Sequence, residues 1–151
     1  MADKPPLFRR ENKKARFKYA LFDRFEAGLA LEGTEVKSIR AGNVSLDEAY
    51  CRVKNGEVFV LNLNISPYSH GSAANHEPKR PRKLLLHKRE IAKLDAASRQ
   101  RGFTIVPTKL YLTQRGLFKM EIALAKGKAA HDKREAIQER EVDRSLRRYK
   151  R

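Results

Sequence analysis

The stretch AYCRVKNGEVFVLNLNI, residues 49–65, decides the fold class. Asn55 and Gly56 separate two runs of β-prone residues, and this dipeptide is a strong hairpin signal because both residues tolerate the positive φ of a type I′ turn. After the turn, apolar and polar side chains alternate, which is typical of a half-buried strand. The apolar residues on one predicted face are Phe59, Leu61, Leu63 and Ile65. The centre of the sequence therefore predicts antiparallel β structure.

Further strand signals lie on both sides of this hairpin. Upstream, residues 17–33 mix aromatic and aliphatic residues and predict one or two strands, interrupted near Glu26-Ala27-Gly28. Downstream, FTIVPTKLYLT (103–113) and LFKMEIALA (117–125) alternate with a period of two. Pro107 indicates an edge strand or a bulge, because proline cannot donate a ladder hydrogen bond.

Two helices are expected between the strands. The first follows Thr34, the predicted N-cap, and ends at Gly42. The second covers KLLLHKREIAKLDAASRQRG (83–102), where Leu84, Ile91 and Leu94 share a helical stripe. Residues 66–82 are rich in turn formers and basic residues and predict a loop.

This inventory of five or six strands and two helices predicts a mainly β fold with flanking helices. Short strands in about 110 residues favour a small closed barrel, because closure removes edge strands. We expect a basic N-terminal arm at 1–16, a barrel domain with inserted helices at 17–125 and a basic C-terminal tail at 126–151.

The charge of the chain points to a polyanionic partner. The formal net charge is +16, and three segments (1–18, 76–93 and 126–151) carry nearly all of it, each with a net charge of +5. The rest of the chain is almost neutral. Such a distribution indicates contact surfaces on a neutral body, and several basic runs on one small protein favour nucleic acid.

The composition also limits the cellular compartments in which we expect the protein. The single cysteine, Cys51, excludes an internal disulfide and is compatible with a reducing environment. The sequence contains neither an apolar run of signal-peptide type nor one of membrane-span length. We expect a cytoplasmic protein that does not bind membranes.

Catalytic and metal motifs are absent from the sequence. His70 and His76 share a loop with Glu77, but no HxxxH or CxxC spacing accompanies them. The sequence has no Gly-rich phosphate loop after a strand, and no serine or cysteine in the context of a nucleophile. We therefore predict no metal, no cofactor and no catalytic residue. A small nuclease remains an alternative, with His70 and His76 as its candidate residues.

The C-terminal tail is too sparsely apolar to fold alone. Arg140, Arg144 and Arg148 are like-charged neighbours at i,i+4 spacing, which destabilises an isolated helix. Gly and Pro are absent after Gly127, so helix propensity is otherwise good. We expect a tail that is disordered when free and becomes helical when phosphates neutralise its arginines.

Several blocks of the sequence, in order, resemble the SsrA-binding protein family, also called small protein B. They are NKKA (12–15), FEAGLAL (25–31), GTEVKSIRAG (33–42), NGE (55–57), NHEPKRPRKLLLH (75–87), VPTKLY (106–111) and AKGKAAHDKR (125–134). The resemblance covers about residues 12–145. It implies an oligonucleotide-binding (OB)-like barrel.

The resemblance also implies a function in bacterial ribosome rescue by trans-translation. Such proteins bind the tRNA-like domain of transfer-messenger RNA and help deliver it, with the elongation factor that carries aminoacyl-tRNA, to stalled ribosomes. The tail then acts in the small-subunit decoding centre and the empty mRNA channel. The alternatives are a ribosomal protein and a general RNA-binding module. We expect a monomer.

The resemblance implies two sets of site residues. Five match family positions linked to the transfer-messenger RNA surface: Asn12, Glu26, Gly28, Leu85 and Lys119. Charge adds Lys37 and Lys83, and the RNA-binding set also includes Lys13 and Lys14 of the NKKA block. The predicted ribosome-binding tail residues are Lys126, Lys128, His131, Asp132, Lys133 and Arg134. Two residues depart from the family pattern, Thr108 in a strand and Ala129 in the tail, where a second lysine is common.

Overall fold

The computed structural model describes residues 7–68 and 75–128 of the 151-residue chain, so the predicted disorder of the tail lies outside the described residues. Within those residues the chain forms nine strands and three helices. In order they are β1 Phe8–Glu11, α1 Lys13–Lys18, β2 Tyr19–Leu29, α2 Gly33–Arg40, β3 Val44–Ser45, β4 Tyr50–Lys54, β5 Glu57–Leu61, β6 Asn64–Ile65, β7 Arg82–Leu85, α3 Lys88–Ser98, β8 Phe103–Leu112 and β9 Phe118–Gly127. The prediction of a mainly β protein with a few helices is confirmed.

Seven of the strands form one antiparallel sheet in the order β1-β8-β4-β5-β7-β2-β9. Strand β9, at the end of this order, also pairs with β8. The strands from β8 to β9 therefore form an uneven ring. The ladders of β9 with β2 and with β8 are long, whereas β4 and β8 share the single residue pair Cys51↔Ile105. The closed, OB-like barrel stays a prediction. Strands β3 and β6 form a separate two-stranded sheet.

The N-terminal segment contributes to this sheet. Residues 8–11 of the predicted arm form β1, which pairs antiparallel with β8 from Phe8↔Leu112 to Glu11↔Lys109. At the other end of the fold, β9 continues to Gly127, past residue 125 where we expected the domain to end. Residues on both sides of the expected domain limits therefore share the sheet.

The predicted hairpin is confirmed. Asn55 and Gly56 have φ values of 53° and 74°, and β4 pairs with β5 through five residue pairs. The predicted buried face is wrong for β5, however, where Val58 and Val60 are buried and Phe59 points outward. Asn62, with φ of 58°, turns the chain and reverses the alternation, so that Leu63 and Ile65 are buried beyond it.

Strand β2 is continuous through the predicted interruption at residues 26–28, so that prediction is wrong. Its register with β9 shifts earlier, between Leu21 and Arg24. The bulge expected at Pro107 is confirmed, because the β8–β9 register shifts between Pro107 and Lys109. Thr108 lies in this bulge, fully buried, and its hydroxyl donates to the carbonyl oxygen of Glu121 at 3.2 Å.

Two helix boundaries differ from the prediction. Helix α3 begins at Lys88 rather than at residue 83, because residues 82–85 form β7 and Leu84 packs in the core. A capping box fixes this start: the Glu90 carboxylate accepts from the His87 backbone N–H at 3.1 Å. Helix α2 is capped by Glu32 rather than Thr34. Gly42, with φ of 86°, follows the end of α2 as predicted.

The main hydrophobic core draws its buried side chains from the six strands of the large sheet other than β1 and from helices α2 and α3, and Phe8 of β1 packs against it. Its fully buried side chains include Ile39, Val58, Leu84, Leu110, Met120 and Ile122. Among the described residues, no helix has the length and apolar character needed to cross a membrane.

Candidate nucleic-acid interface

Three of the predicted site residues form one row across the sheet. Gly28 of β2 pairs with Leu85 of β7 on one side and with Lys119 of β9 on the other. We call Leu85, Gly28 and Lys119 the Gly28 row. The pairing brings together residues that are far apart in the sequence, and it places an apolar side chain and a cation on either side of a glycine.

Glu26 extends the Gly28 row into a charged cluster. It lies two residues before Gly28 on β2, and its side chain is 59% exposed. The Lys119 Nζ lies 3.9 Å from the Glu26 Oε1, and the Tyr111 hydroxyl donates a hydrogen bond to Oε2 of the same carboxylate. Burial, together with the Glu26 carboxylate, raises the pKa of the Tyr111 hydroxyl, so this phenol is a stable donor. We call these three residues the Glu26 cluster.

Tyr111 is a site residue that sequence reasoning did not assign. It pairs directly with Lys119 across the β8–β9 ladder, which explains why its hydroxyl reaches Glu26. The signals in the sequence were its aromatic ring and its place in VPTKLY, one of the blocks that resemble the family.

An apolar groove adjoins the Gly28 row. It has a volume of about 370 Å³, and its lining includes Gly28, Leu31, Val36, Leu85 and Leu117. Leu85 and Leu117 are each 54% exposed, which is high for leucine. A Cβ on residue 28 would lie 3.3 Å from the Leu85 Cβ, so the close pairing of β2 with β7 favours glycine here.

Two further predicted lysines lie near these elements. Lys83 is exposed on β7, two residues before Leu85, and its Nζ lies 3.3 Å from the Glu57 Oε1. Lys37 is exposed on α2, next to Val36 of the groove, and its Nζ lies 5.5 Å from the centre of the Tyr68 ring. A cation over an aromatic ring in this way is weakly stabilised.

Asn12 is buried and does not lie on this surface. It is 1% exposed, and its Oδ1 accepts from the backbone N–H of Ala15, which caps α1. Its Nδ2 donates to the carbonyl oxygens of Leu46 at 3.1 Å and Pro107 at 2.8 Å. The side chain therefore fixes the start of α1 against two other segments.

Helix α1 carries the other two predicted lysines. Lys13 is exposed, and Lys14 forms an ion pair with Glu48. Asn12 and Lys14 line a polar cleft of about 330 Å³ that shares no lining residue with the apolar groove. The structure therefore separates the predicted RNA-binding residues into two groups.

The first residues of the predicted tail are held by the fold. Lys126 is 6% exposed within β9, where it pairs with Ala20 and Phe103. The backbone N–H of Lys128 donates to the carbonyl oxygen of Lys18 at 2.8 Å, and its Nζ donates to that of Arg16 at 2.9 Å. His131, Asp132, Lys133 and Arg134 lie outside the described residues.

A buried ionic cluster lies beneath the basic block PKRPRK, and sequence reasoning missed it. Glu35 of α2 and Arg82 of β7 are both fully buried and form an ion pair, and Arg80 donates to Glu35 at 2.7 Å and 3.1 Å. Arg82 also donates to the carbonyl oxygens of Leu63 and Pro78. We call Glu35, Arg80 and Arg82 the Glu35 cluster. It ties α2 to the chain at residues 77–82.

The pKa of the Glu35 carboxyl reflects two opposing effects. Burial alone would raise this pKa, but hydrogen bonds from Arg80, from the Glu32 backbone N–H and from Arg82 outweigh burial and hold the pKa below its usual value. The carboxylate is therefore ionised at neutral pH. Arg80 and Arg82 lie in the basic segment 76–93, which we predicted to be a contact surface. Both are paired with Glu35 within the protein.

His76 is a structural residue. Its Nε2 donates to the carbonyl oxygen of Ile65 at 2.8 Å, and its Nδ1 is hydrogen-bonded to the Thr34 hydroxyl at 2.8 Å. His70 lies outside the described residues. Within residues 7–68 and 75–128, no three His, Cys, Asp or Glu side chains are grouped as a metal site would require. Cys51 is fully buried, and burial raises its thiol pKa, so it has no nucleophilic character.

Comparisons with known proteins agree on one family. The family model described as "SmpB: SmpB protein" matches residues 9–151. The SsrA-binding protein of Thermosipho melanesiensis is 54% identical over 138 residues, covering 91% of this chain and 94% of the relative. That of Zymomonas mobilis is 53% identical over 148 residues, covering 95% and 92%. A solved structure described as "tmRNA-SmpB: a journey to the center of the bacterial ribosome" is 47% identical, with a TM-score of 0.70, and the match covers 83% of this chain and 87% of that one.

Proposed function

Because the chain belongs to the SmpB family, we propose that it binds the tRNA-like domain of transfer-messenger RNA and enables delivery of that RNA to stalled ribosomes in trans-translation. The observation that carries the proposal is the Gly28 row. Its residues come from three strands, and family resemblance alone had linked all of them to one RNA surface before the structure showed them side by side.

The residues of the Gly28 row and their neighbours make different contacts with RNA in this proposal. Lys119 and Lys83 attract the phosphate backbone, and the exposed Leu85 packs on an apolar face of a base or sugar. Glu26 accepts hydrogen bonds from base or ribose donors. These bonds fix the position of the RNA along the protein surface, whereas the lysines supply only attraction. The Tyr111 hydroxyl and Lys119 hold the Glu26 carboxylate in place for this contact.

Asn12 and the two lysines of α1 have different roles in this proposal. Because Asn12 is buried and its side-chain atoms are bound within the chain, it positions α1 rather than touching RNA. Lys13 and Lys14, which α1 carries, are the residues that meet phosphates. Lys37 on α2 adds a further cation beside the apolar groove.

The tail supplies the second half of the activity. We assign residues 17–125, in an OB-like barrel, to RNA binding and residues 126–151 to the decoding centre and the empty mRNA channel of the small subunit. The contacts with the small subunit are made by Lys128, His131, Asp132, Lys133 and Arg134. Ala129 weakens the binding of the start of the tail to the ribosome. Lys126 supports the tail from within β9.

The remaining features follow from the same proposal. The protein acts as a cytoplasmic monomer without a catalytic residue, metal or cofactor, and the basic residues 1–16 add attraction to RNA. Its delivery complex includes the elongation factor that carries aminoacyl-tRNA. Each contact is non-covalent, so the binding free energy comes from phosphates, base donors and apolar packing.

A pull-down experiment tests the division of labour. RNA is captured from cells with the intact protein and with a chain that stops after Lys128. We expect both to recover transfer-messenger RNA, and peptide tagging on stalled ribosomes to be lost with the shortened chain. Loss of RNA capture on shortening would contradict the proposal, because the body would then not suffice for binding.

Two alternatives give different results in simple assays. A ribosomal protein would sediment with subunits in equal amounts, whereas a rescue factor is substoichiometric and follows transfer-messenger RNA. A nuclease would cleave labelled RNA in the presence of a divalent metal, and the cleavage would be lost on changing His70 or His76.

A further inference from the structure

We propose that Phe59, between Arg52 and Lys83, forms a base-stacking site that extends the RNA interface beyond the Gly28 row. The proposal rests on the proposed function for its ligand, a folded RNA, and it adds a contact that neither the resemblance nor the comparisons assign. We call Arg52, Phe59 and Lys83 the Phe59 row.

The register of three strands places these residues side by side. Arg52 of β4 pairs with Phe59 of β5, and Phe59 pairs with Lys83 of β7. Directly opposed residues on neighbouring strands have Cβ atoms about 5 Å apart. An aromatic ring therefore lies between two cations on one face of the sheet.

Phe59 faces away from the core. Its neighbours Val58 and Val60 are fully buried, so the alternation of the strand points Phe59 outward, and its side chain is half-buried. Within the described chain, several half-buried apolar residues pack against the two core clusters, and Phe59 is not one of them. A ring in this position contributes little to the core and offers a surface to a ligand.

The two cations of the Phe59 row are accessible to phosphates. Arg52 is exposed and has no acidic partner in residues 7–68 and 75–128. Lys83 pairs with Glu57, but both side chains are 47% exposed, so solvent screens the pair and it contributes little. A phosphate group can replace such a partner at low cost.

The Phe59 row continues the Gly28 row. Lys83 and Leu85 are separated by one residue on β7, so both point to the same face of the sheet, about 7 Å apart along the strand. Leu85 in turn pairs with Gly28. RNA that contacts Lys119 and Leu85 therefore reaches Phe59 by continuing along the same surface.

The chemistry of the Phe59 row fits an unpaired nucleotide. Every base has a π-face, so stacking on an aromatic side chain is tolerant of sequence, and flanking cations hold the adjacent phosphates. A single-stranded or bulged nucleotide of the folded RNA is the expected occupant, because paired bases present no free face.

The experiment uses the natural absence of tryptophan. The full-length variant Phe59→Trp carries a single tryptophan and is titrated with the tRNA-like domain of transfer-messenger RNA at moderate salt. We expect quenching of the fluorescence at saturation and an affinity within about twofold of the unaltered protein, because indole also stacks. The matched control is Phe22→Trp, because Phe22 is a 46%-exposed aromatic residue on a different strand, β2. The tryptophan emission of this control should not change on addition of RNA.

Two further variants separate stacking from folding. Phe59→Leu keeps apolar bulk but removes the π-face, and we expect an affinity about 10-fold lower with an unchanged melting temperature. Arg52→Ala should weaken binding several-fold. It should also reduce the slope of log affinity against log salt concentration by about one, which corresponds to the loss of one phosphate contact. Its control is Arg99→Ala, which removes an exposed arginine that lies in neither the Phe59 row nor the Gly28 row.

The outcomes distinguish the inference from the proposed function. If the unaltered protein binds the RNA but the Phe59→Trp emission is unmoved and the Arg52→Ala protein binds normally, the Phe59 row is overturned and the proposed function stands. If the unaltered protein shows no preference for this RNA over arbitrary hairpins, both are overturned. Quenching with weaker binding by the Arg52→Ala protein supports the inference, even if Phe59→Leu fails to fold.

Discussion

The Glu35 cluster and the Glu26 cluster show how one chemical combination serves two purposes. Each pairs a glutamate with two donors from distant elements. Glu35 is fully buried, and both of its carboxylate oxygens are bound by arginine. Glu26 is 59% exposed, and its lysine partner is 3.9 Å away. The buried cluster therefore holds the fold together, and the exposed cluster keeps its hydrogen-bonding capacity for a ligand.

The difference follows from solvation. Removing one member of a buried ion pair leaves a charge without water or a partner, which is costly, whereas an exposed pair contributes little to the free energy of unfolding. Stability and RNA affinity should therefore respond to different residues. Each of the following experiments tests whether that separation holds.

The largest expected effect is on the Glu35 cluster. Arg82→Ala removes one of the two arginines that bind Glu35 and a donor to the carbonyl oxygens of Leu63 and Pro78. We expect the free energy of unfolding to fall by about 3–5 kcal/mol, measured by urea denaturation. The neighbouring residue supplies the control, since Lys83→Ala removes an exposed charge and should change stability by less than about 0.5 kcal/mol. Equal losses from the two variants would contradict the comparison.

The pH dependence of stability sharpens the same comparison. The folded-state pKa of Glu35 is held below its unfolded value of 4.5, so its contribution is complete above pH 4.5 and is lost as the pH falls through the folded pKa. We expect Glu35→Gln to be less stable than the unaltered protein at pH 7 and the gap to narrow below pH 4.5. Urea denaturation across pH 3–7 measures this, and a gap independent of pH would refute the assignment.

The Glu26 cluster should affect affinity without affecting stability. Glu26→Ala removes the acceptor for base and ribose donors, and we expect about 10-fold weaker binding of the tRNA-like domain, which is about 1.4 kcal/mol. The melting temperature should stay within about 2 °C. Asp95→Ala, which removes a carboxylate that is paired with Arg99 instead, is the control and should bind normally. A fall in melting temperature with Glu26→Ala would mean that this cluster is structural.

The smallest expected effect comes from Tyr111, which orients Glu26 without being assigned an RNA contact. Tyr111→Phe keeps the ring and removes the hydroxyl that donates to the Glu26 carboxylate. We expect binding about threefold weaker, and no additional loss in the double variant with Glu26→Ala, because the two act through one contact. Additive losses would show that Tyr111 contacts RNA independently.

Local signals in the sequence predicted local geometry well. Asn55-Gly56 predicted the hairpin, Gly42 the end of α2 and Pro107 the bulge, because each depends on the backbone preferences of one or two residues. The predictions failed where one residue changes the direction of a run. The positive φ of Asn62 reverses which side chains are buried, and the capping box at His87 starts α3 later than the apolar stripe suggested.

The candidate site was predicted by resemblance rather than by pattern. No spacing rule indicates that Gly28, Leu85 and Lys119 are adjacent, because their contact depends on the pairing of three strands distant in sequence. Charge counting also treated the arginines and lysines of PKRPRK alike. Arg82 points inward to Glu35 while Lys83 points to solvent, and that distinction arises from the period of β7 and the position of a buried acid.

The position of β9 has a consequence for how the protein folds during its synthesis. Strand β2 forms early in the chain, yet its partner β9 lies about a hundred residues later, as the pair Tyr19↔Gly127 shows. Until β9 leaves the ribosome, the edges of β2 and β8 that pair with it have unpaired backbone hydrogen-bonding groups. Contacts of such high sequence separation are also slow to form. A nascent chain halted before residue 118 should therefore be open to proteases and chaperones, and the native state should arise only after translation has passed the last strand.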